Sequence, residues 1–252
     1  MLFKKEILLF LTCAAGALGV QHRNRAATSV FLLAGDSTTA TQSANGGGWG
    51  DGFKNFTLTS PSFAVNYGHN GATTSSFIEG GDWATVLSNA SQYSTTKTVY
   101  VTIQFGHNDQ KLTDYVETYK ANLRRMISDV IAHNAIPIIV TSISRRNYNS
   151  DGTIKDLLAD WAEYAISVAN EDGTMYIDLW KSSIEYLEKI GEAAARKLDL
   201  KSGDSTHLSV NGSIVFGRMV MDLLSEKSPA IKAVARPDEK LSADIKAGVP
   251  SY

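Results

Sequence analysis

Val30-Phe31-Leu32-Leu33-Ala34-Gly35-Asp36-Ser37-Thr38-Thr39 is an unbroken apolar run that stops at a glycine and turns polar at once. Five apolar residues without alternation fit a strand buried on both faces, as in the middle of a parallel sheet. The break at Gly35 puts Asp36, Ser37 and Thr38 on the turn that leaves the strand's carboxyl end. Ligands of doubly wound sheets bind at that end, so a serine hydroxyl there is presented at the functional edge.

Similar runs recur at Phe63 to Tyr67, Thr98 to Phe105, Ile136 to Thr141 and Met175 to Leu179. Between them lie amphipathic helical patterns: Tyr115, Tyr119, Leu123, Met126, Ile127 and Val130 recur at three or four, as do Leu158, Trp161, Ala165, Val168 and Ala169. The alternation predicts an α/β domain with parallel strands and helices on both faces. Thr113-Asp114 is the expected cap of the helix before Ile136. A last helix is expected over about 209–225. Beyond Ser228 the periodicity ends among Pro229, Pro237 and Pro250, which reads as an extended tail or surface arm. The expected organisation is a signal peptide at 1–19, a short segment at 20–28, one domain at 29–227 and a tail at 228–252.

With 252 residues and 43% hydrophobic content, the chain can bury one sizeable core. Its 24 Lys+Arg balance 26 Asp+Glu without a basic block, which argues against nucleic acid as a partner. Lys4-Lys5 followed by the apolar run Ile7 to Val20, with Ala15-Gly16-Ala17 or Ala17-Leu18-Gly19 for cleavage, reads as a secretory signal. The run is short for spanning a bilayer, so a secreted, extracellular, monomeric chain without membrane attachment is expected. Cys13 is the only cysteine, so the mature chain has no disulfide and no thiol nucleophile. Sequons stand at Asn55, Asn89 and Asn211. His22, His69, His107, His133 and His207 lack ligand spacing, and no metal is expected.

Four polar clusters carry the chemistry. Ser37 follows the first strand; Gly71 follows the second, in Tyr67-Gly68-His69-Asn70-Gly71, where a bare backbone N–H can approach a carbonyl. Gly106-His107-Asn108-Asp109 follows the third, and the Asn108 amide can donate to an oxyanion. His107, beside Asn108, points elsewhere and reads as structural. Near the end, Asp204-Ser205-Thr206-His207 sets a carboxylate three residues before a histidine, close enough to fix its tautomer. Each cluster alone has an ordinary explanation as a turn or helix cap. Asp36 is assigned to shaping the turn, since a carboxylate aimed inward would repel an oxyanion.

In that order the clusters resemble the blocks of the SGNH hydrolase superfamily, also called the GDSL family. The resemblance implies a three-layer α/β/α, flavodoxin-like fold with a five-stranded parallel sheet and no cofactor. It implies Ser37, Asp204 and His207 as the catalytic residues of a serine esterase, with Ser37, Gly71 and Asn108 forming the oxyanion hole. Within that superfamily, Gly35-Asp36-Ser37-Thr38-Thr39, Gly106-His107-Asn108-Asp109-Gln110, Ser144-Arg145-Arg146 and Asp204-Ser205-Thr206-His207-Leu208-Ser209 resemble the rhamnogalacturonan acetylesterases. That implies a secreted enzyme removing acetyl groups from pectic polysaccharide. One departure is that Ala72-Thr73-Thr74-Ser75 follows Gly71, where those enzymes often carry arginines.

Substrate contact is expected from Trp49, in the loop Asn45-Gly46-Gly47-Gly48-Trp49, and from Arg145 or Arg146. Neighbouring residues of an extended stretch point to opposite sides, so only one of the two arginines is expected to reach a uronate. Trp161 is expected in the core, whereas Trp83 and Trp180 fit either core or surface. The competing classes are a lipase or thioesterase of the same superfamily, acting on longer acyl esters, and a non-catalytic secreted sugar-binding module.

Overall fold

The computed structural model describes residues 28–43 and 46–251. The expected signal peptide, with Cys13 and His22, lies outside the described residues, as does Asn45. The five predicted runs are the strands of one sheet: β1 (Ser29–Gly35), β4 (Phe63–Asn66), β5 (Thr98–Gln104), β6 (Ile136–Val140) and β7 (Met175–Ile177). All neighbours pair in parallel, in the order β4-β1-β5-β6-β7. Such an order reverses direction at β1, whose carboxyl end therefore faces a crevice. Pro137 sits where its missing N–H is harmless, because pairing with β7 begins one residue later, at Ile138.

β1 is buried throughout, and its side chains divide strictly by alternation. Phe31 and Leu33 pack on one face with Phe53, Leu187, Phe216 and Val220. Val30, Leu32 and Ala34 pack on the other with Val86, Leu123, Ile127 and Val168. The first layer comprises α1 (Gly50–Phe56), α6 (Leu179–Ile190) and α8 (Val210–Lys227). The second comprises α2 (Thr74–Glu79), α3 (Asp82–Ser94), α4 (Val116–Ala132) and α5 (Ala159–Glu171). The three-layer α/β/α fold is thus present. Among the described residues, no helix is long and apolar enough to cross a membrane.

Three details differ from expectation. The chain turns at Asp114 with φ 53°, and Tyr115, without a side-chain bond, is the N-cap of α4, so Thr113-Asp114 does not cap it. The region after Ser228 is not extended: after the short helix α7 (Glu192–Ala195) come α9 (Pro229–Lys232) and α10 (Glu239–Ala247), docked on the first layer. Ile231 and Val234 are buried there, with Leu241 and Ile245 packed alongside, enough apolar surface to hold an arm that lacks long periodicity.

The third difference bears on the site. The glycine-rich loop is part of a second, antiparallel sheet made of β2 (Thr41–Ser43), β3 (Gly46–Gly47) and β8 (Leu208–Ser209). β2 follows the turn carrying Ser37, and β8 follows His207, so this sheet ties the two together. Glycine is required where backbones touch: a Cβ on Gly46 would lie 2.3 Å from Leu208 O, and one on Gly48 2.2 Å from Thr38 O. Helices α1 and α8 cross equally closely, a Cβ on Gly52 falling 1.8 Å from Ser213 O and one on Gly217 2.3 Å from Phe53 N. The Ser213 hydroxyl stitches this crossing, donating to Gly48 O and accepting from Gly52 N–H. Gly217→Ala is therefore expected to lower the unfolding free energy in urea by about 1–3 kcal/mol, the range for overpacking a close contact. An unchanged midpoint would mean that α1 and α8 are free to separate.

Candidate active site

The turn after β1 is held from below by buried polar groups. Asp36 Oδ1 accepts from the backbone N–H and the hydroxyl of Thr38, both at 2.8 Å, and Asp36 O accepts from Thr39 and Ala40 N–H. Gln104, at the tip of β5, donates to Thr38 Oγ1 at 2.8 Å and accepts from Thr39 Oγ1 at 2.6 Å. It also accepts from the Trp49 indole N–H at 2.8 Å. Ser37 sits on this platform, 7% exposed. Asp36 faces the turn's own donors, as expected of a residue that shapes it.

His207 Nε2 lies 3.0 Å from Ser37 Oγ, and His207 Nδ1 lies 2.9 Å from Asp204 Oδ2. Asp204 Oδ1 also accepts from the backbone N–H groups of Thr206 and His207. With Nδ1–H given to the carboxylate, Nε2 carries the lone pair towards Ser37, the tautomer that accepts a hydroxyl proton. Burial alone would raise the Asp204 pKa, but the His207 backbone and ring and the Thr206 N–H outweigh it. The carboxyl therefore stays below its usual range and ionised.

The second and third loops are joined beside it. Asn108 Nδ2 donates to Ala72 O at 3.0 Å, and Asn108 Oδ1 accepts from Lys111 Nζ at 2.8 Å. An amide carries two N–H donors, so this orientation commits one to Ala72 and fixes the direction of the other. Gly71 precedes Ala72 with φ 78°, a conformation that favours glycine, while its Cβ position has open space. Asp109 secures the arrangement from inside by accepting from the N–H and hydroxyl of Thr74. His69 N–H donates to Gly35 O, which ties the Gly71 loop to the turn carrying Ser37.

Two expected substrate contacts do not hold. Trp49 is 0% exposed and spends its indole N–H on Gln104, so it supports the turn and offers no ring to a ligand. Arg146 is also 0% exposed and is ion-paired with Asp199, so it cannot reach a substrate. Arg145, pointing the other way, is half-buried. It donates to His107 at 3.4 Å, and to Gln110 at 3.1 Å when the Gln110 amide is turned to satisfy both its ends. Burial lowers the Arg145 pKa, and the Asp36 charge acts in the opposite sense. Trp83 is buried and bonded to Asp129, while Trp180, partly exposed, is bonded to Asp156. Trp161 is partly exposed and packs edge-on against Tyr119.

The sequence reading missed Gln104, whose signal is a polar side chain ending an otherwise buried strand, and it missed the small sheet. A cavity of about 660 Å³ under α10 is lined by Tyr186, Arg218, Leu223 and Ile245 and includes none of the triad.

His107 is buried and bonded to backbone, as a structural residue would be. Its Nε2–H donates to Ile143 O at 2.8 Å, and burial, then the Arg145 charge, pushes its pKa down to about 3. Because the unfolded chain binds that proton near pH 6.5, stability from this group is complete above that pH and is lost as pH falls towards 3. Asp36 works in the opposite sense: burial raises its pKa to about 6, so its penalty is relieved as pH falls. His107→Gln, which can keep the bond to Ile143, should flatten the fall of Tm on acidification between about pH 6.5 and 3. A curve parallel to that of the parent protein would refute this assignment.

The sequence of residues 33–213 matches the family described as GDSL-like Lipase/Acylhydrolase. Rhamnogalacturonan acetylesterase RhgT of Bacillus subtilis (strain 168) is 29% identical over 219 residues, covering 80% of this chain and 91% of that protein. The fold matches a crystal structure of a Bacillus subtilis protein with TM-score 0.70 and 24% identity, covering 79% of this chain; the chain spans 57% of that protein's length. It also matches a catalytic mutant of an acetylxylan esterase from Geobacillus stearothermophilus, with TM-score 0.56, 18% identity and coverage of 77% of this chain and 93% of the other. The matched span contains the turn of Ser37, the loops of Gly71 and Asn108, and the pair Asp204 and His207, and the chain belongs to the GDSL-like lipase/acylhydrolase family, the SGNH hydrolases.

Proposed function

We propose that the protein is a secreted carbohydrate esterase that removes O-acetyl groups from an acidic plant cell-wall polysaccharide, with rhamnogalacturonan the first candidate. The observation that carries the chemistry is the continuous hydrogen-bond path from Ser37 Oγ through His207 to Asp204. The choice of substrate is supported by the name of the relative RhgT and by Arg145. Support for export is the pattern Lys4-Lys5 followed by Ile7 to Val20.

In this reading His207 takes the Ser37 proton as Oγ attacks the acetyl carbonyl, and Asp204 stabilises the imidazolium that forms. The oxyanion meets the backbone N–H groups of Ser37 and Gly71 and the second amide hydrogen of Asn108, each such donor contributing roughly 3 kcal/mol to the barrier reduction. His207 then protonates the departing sugar hydroxyl, and water repeats the sequence on the acetyl-enzyme. Ser37→Ala and His207→Ala should each abolish nearly all acetate release while leaving Tm intact, and the double variant should be little worse, since the triad acts as a unit. A Ser37→Ala enzyme retaining more than about a tenth of wild-type kcat, a loss of under ~1.4 kcal/mol, would remove Ser37 from the mechanism.

A half-buried guanidinium whose hydrogen-bond partners are neutral gains from an incoming anion, and a uronate carboxylate fits its fork. Arg145→Ala should cost roughly 1.5–3 kcal/mol in kcat/KM on acetylated, carboxylate-bearing fragments. The same variant should hydrolyse a neutral aryl acetate at the parental rate. Equal losses on both substrates would show that Arg145 supports the site itself, and no loss on either would favour a neutral polysaccharide.

A further inference from the structure

We propose that Arg146 is a positioning residue for the reaction, holding the loop of Asp204 and His207 at the distance from Ser37 that proton transfer needs. This inference rests on the reading of Ser37, His207 and Asp204 as the reacting triad. The loop in question, residues 201–207, has no helix or strand of its own. Its carbonyls nevertheless need partners, and three of them find one in Arg146. Arg146 Nη2 donates to His207 O at 2.6 Å and to Asp204 O at 3.3 Å, and Arg146 N–H donates to Ser205 O at 2.8 Å. The clamp therefore grips the first and last residues of the segment that carries both proton-handling groups.

The guanidinium is held in turn by Asp199, which is itself 3% exposed in its side chain and bridges by backbone to Leu208, the residue after His207. Leu200 N–H adds a second bond to His207 O. Burying a guanidinium completely is costly even when it is paired. Arg146 Nη1 also lies buried without a hydrogen-bond partner, a further cost. An arginine serving only its ion pair with Asp199 has no need to reach two carbonyls of one loop. What the geometry secures is the loop backbone, and through it the direction of the imidazole. Small displacements matter there: an error of about 1 Å in a reacting group can cost on the order of a hundredfold in rate.

The alternation of the Ser144-Arg145-Arg146 stretch then has a single explanation. One arginine faces outward beside His107, and its neighbour faces inward beneath His207. A lysine at position 146 can keep the charge pairing with Asp199 but presents no planar fork to span Asp204 O and His207 O. The discriminating variants are Arg146→Lys and Arg146→Ala, assayed on a neutral aryl acetate that makes no use of Arg145.

Arg146→Lys is expected to fold, with a cooperative melt, and to lose kcat by roughly one hundredfold while KM changes less than about twofold. Added methylguanidinium should restore part of kcat to Arg146→Ala and none to Arg146→Lys, whose ammonium occupies the space. A folded Arg146→Lys with parental kcat would overturn the proposal, as would a rescue equal in both variants. Where either variant fails to melt cooperatively, Asp199→Asn takes its place: it loosens the guanidinium's anchor and keeps its donors. Asp199→Asn is expected to lower kcat with KM unchanged, and unchanged kcat would overturn the proposal equally. Failure of the underlying reading looks different, because Ser37→Ala would then remain active on the same aryl acetate whatever position 146 does.

Discussion

The structure depends on the approach of three backbone segments to within van der Waals distance around residues 46–52. Gly48 lies against Thr38, Gly46 against Leu208 and Ser209, and Gly52 against Ser213. Through these contacts the turn at the end of β1 and the entry to α8, which are far apart in sequence, become neighbours. The 3.0 Å separation of Ser37 Oγ and His207 Nε2 follows from them. A side chain at any of the three positions would push the His207 loop away from Ser37, so the same constraint governs both packing and the geometry of the pair.

Around that constraint the polar groups divide into two tiers. Below Ser37, Asp36, Gln104, His107 and Asp109 are buried and hydrogen-bonded to backbone and side-chain groups, which makes the floor rigid. Burial holds His107 neutral and raises the carboxyl pKa values of Asp36 and Asp109. Above it, Asp204 is partly exposed and bonded to N–H groups that keep its charge. The pKa values of Asp36 and Asp204 thus shift in opposite directions, because one loses water and the other gains donors. A fixed arrangement of this kind lowers the reorganisation needed when charge develops on the carbonyl oxygen.

Much of this was legible in the sequence because burial on both faces leaves a simple trace. Each of the five strands is an apolar run, and the turn residues that follow β1, β4 and β5 stand out by contrast. The small sheet was not legible, since strands of two or three residues carry no periodicity and their pairing comes from tertiary contact. Trp49 misled for a related reason: a tryptophan beside glycines looks exposed until the glycines are seen to be buried for close approach. The docked arm was not legible either, because α9 is only four residues long and α10 has no fully buried side chain. Alternation correctly divided Arg145 from Arg146, but which of them turned inward depended on Asp199, fifty-three residues away.

The central claim is that Ser37 is the nucleophile activated by His207, and covalent trapping tests it most directly. The full chain is treated with an aryl or alkyl fluorophosphonate, and the adduct is located by peptide mass mapping. The account predicts one adduct per chain, on Ser37, and a much slower reaction in His207→Ala. An adduct on a different residue, or labelling of Ser37 at the parental rate without His207, would contradict it.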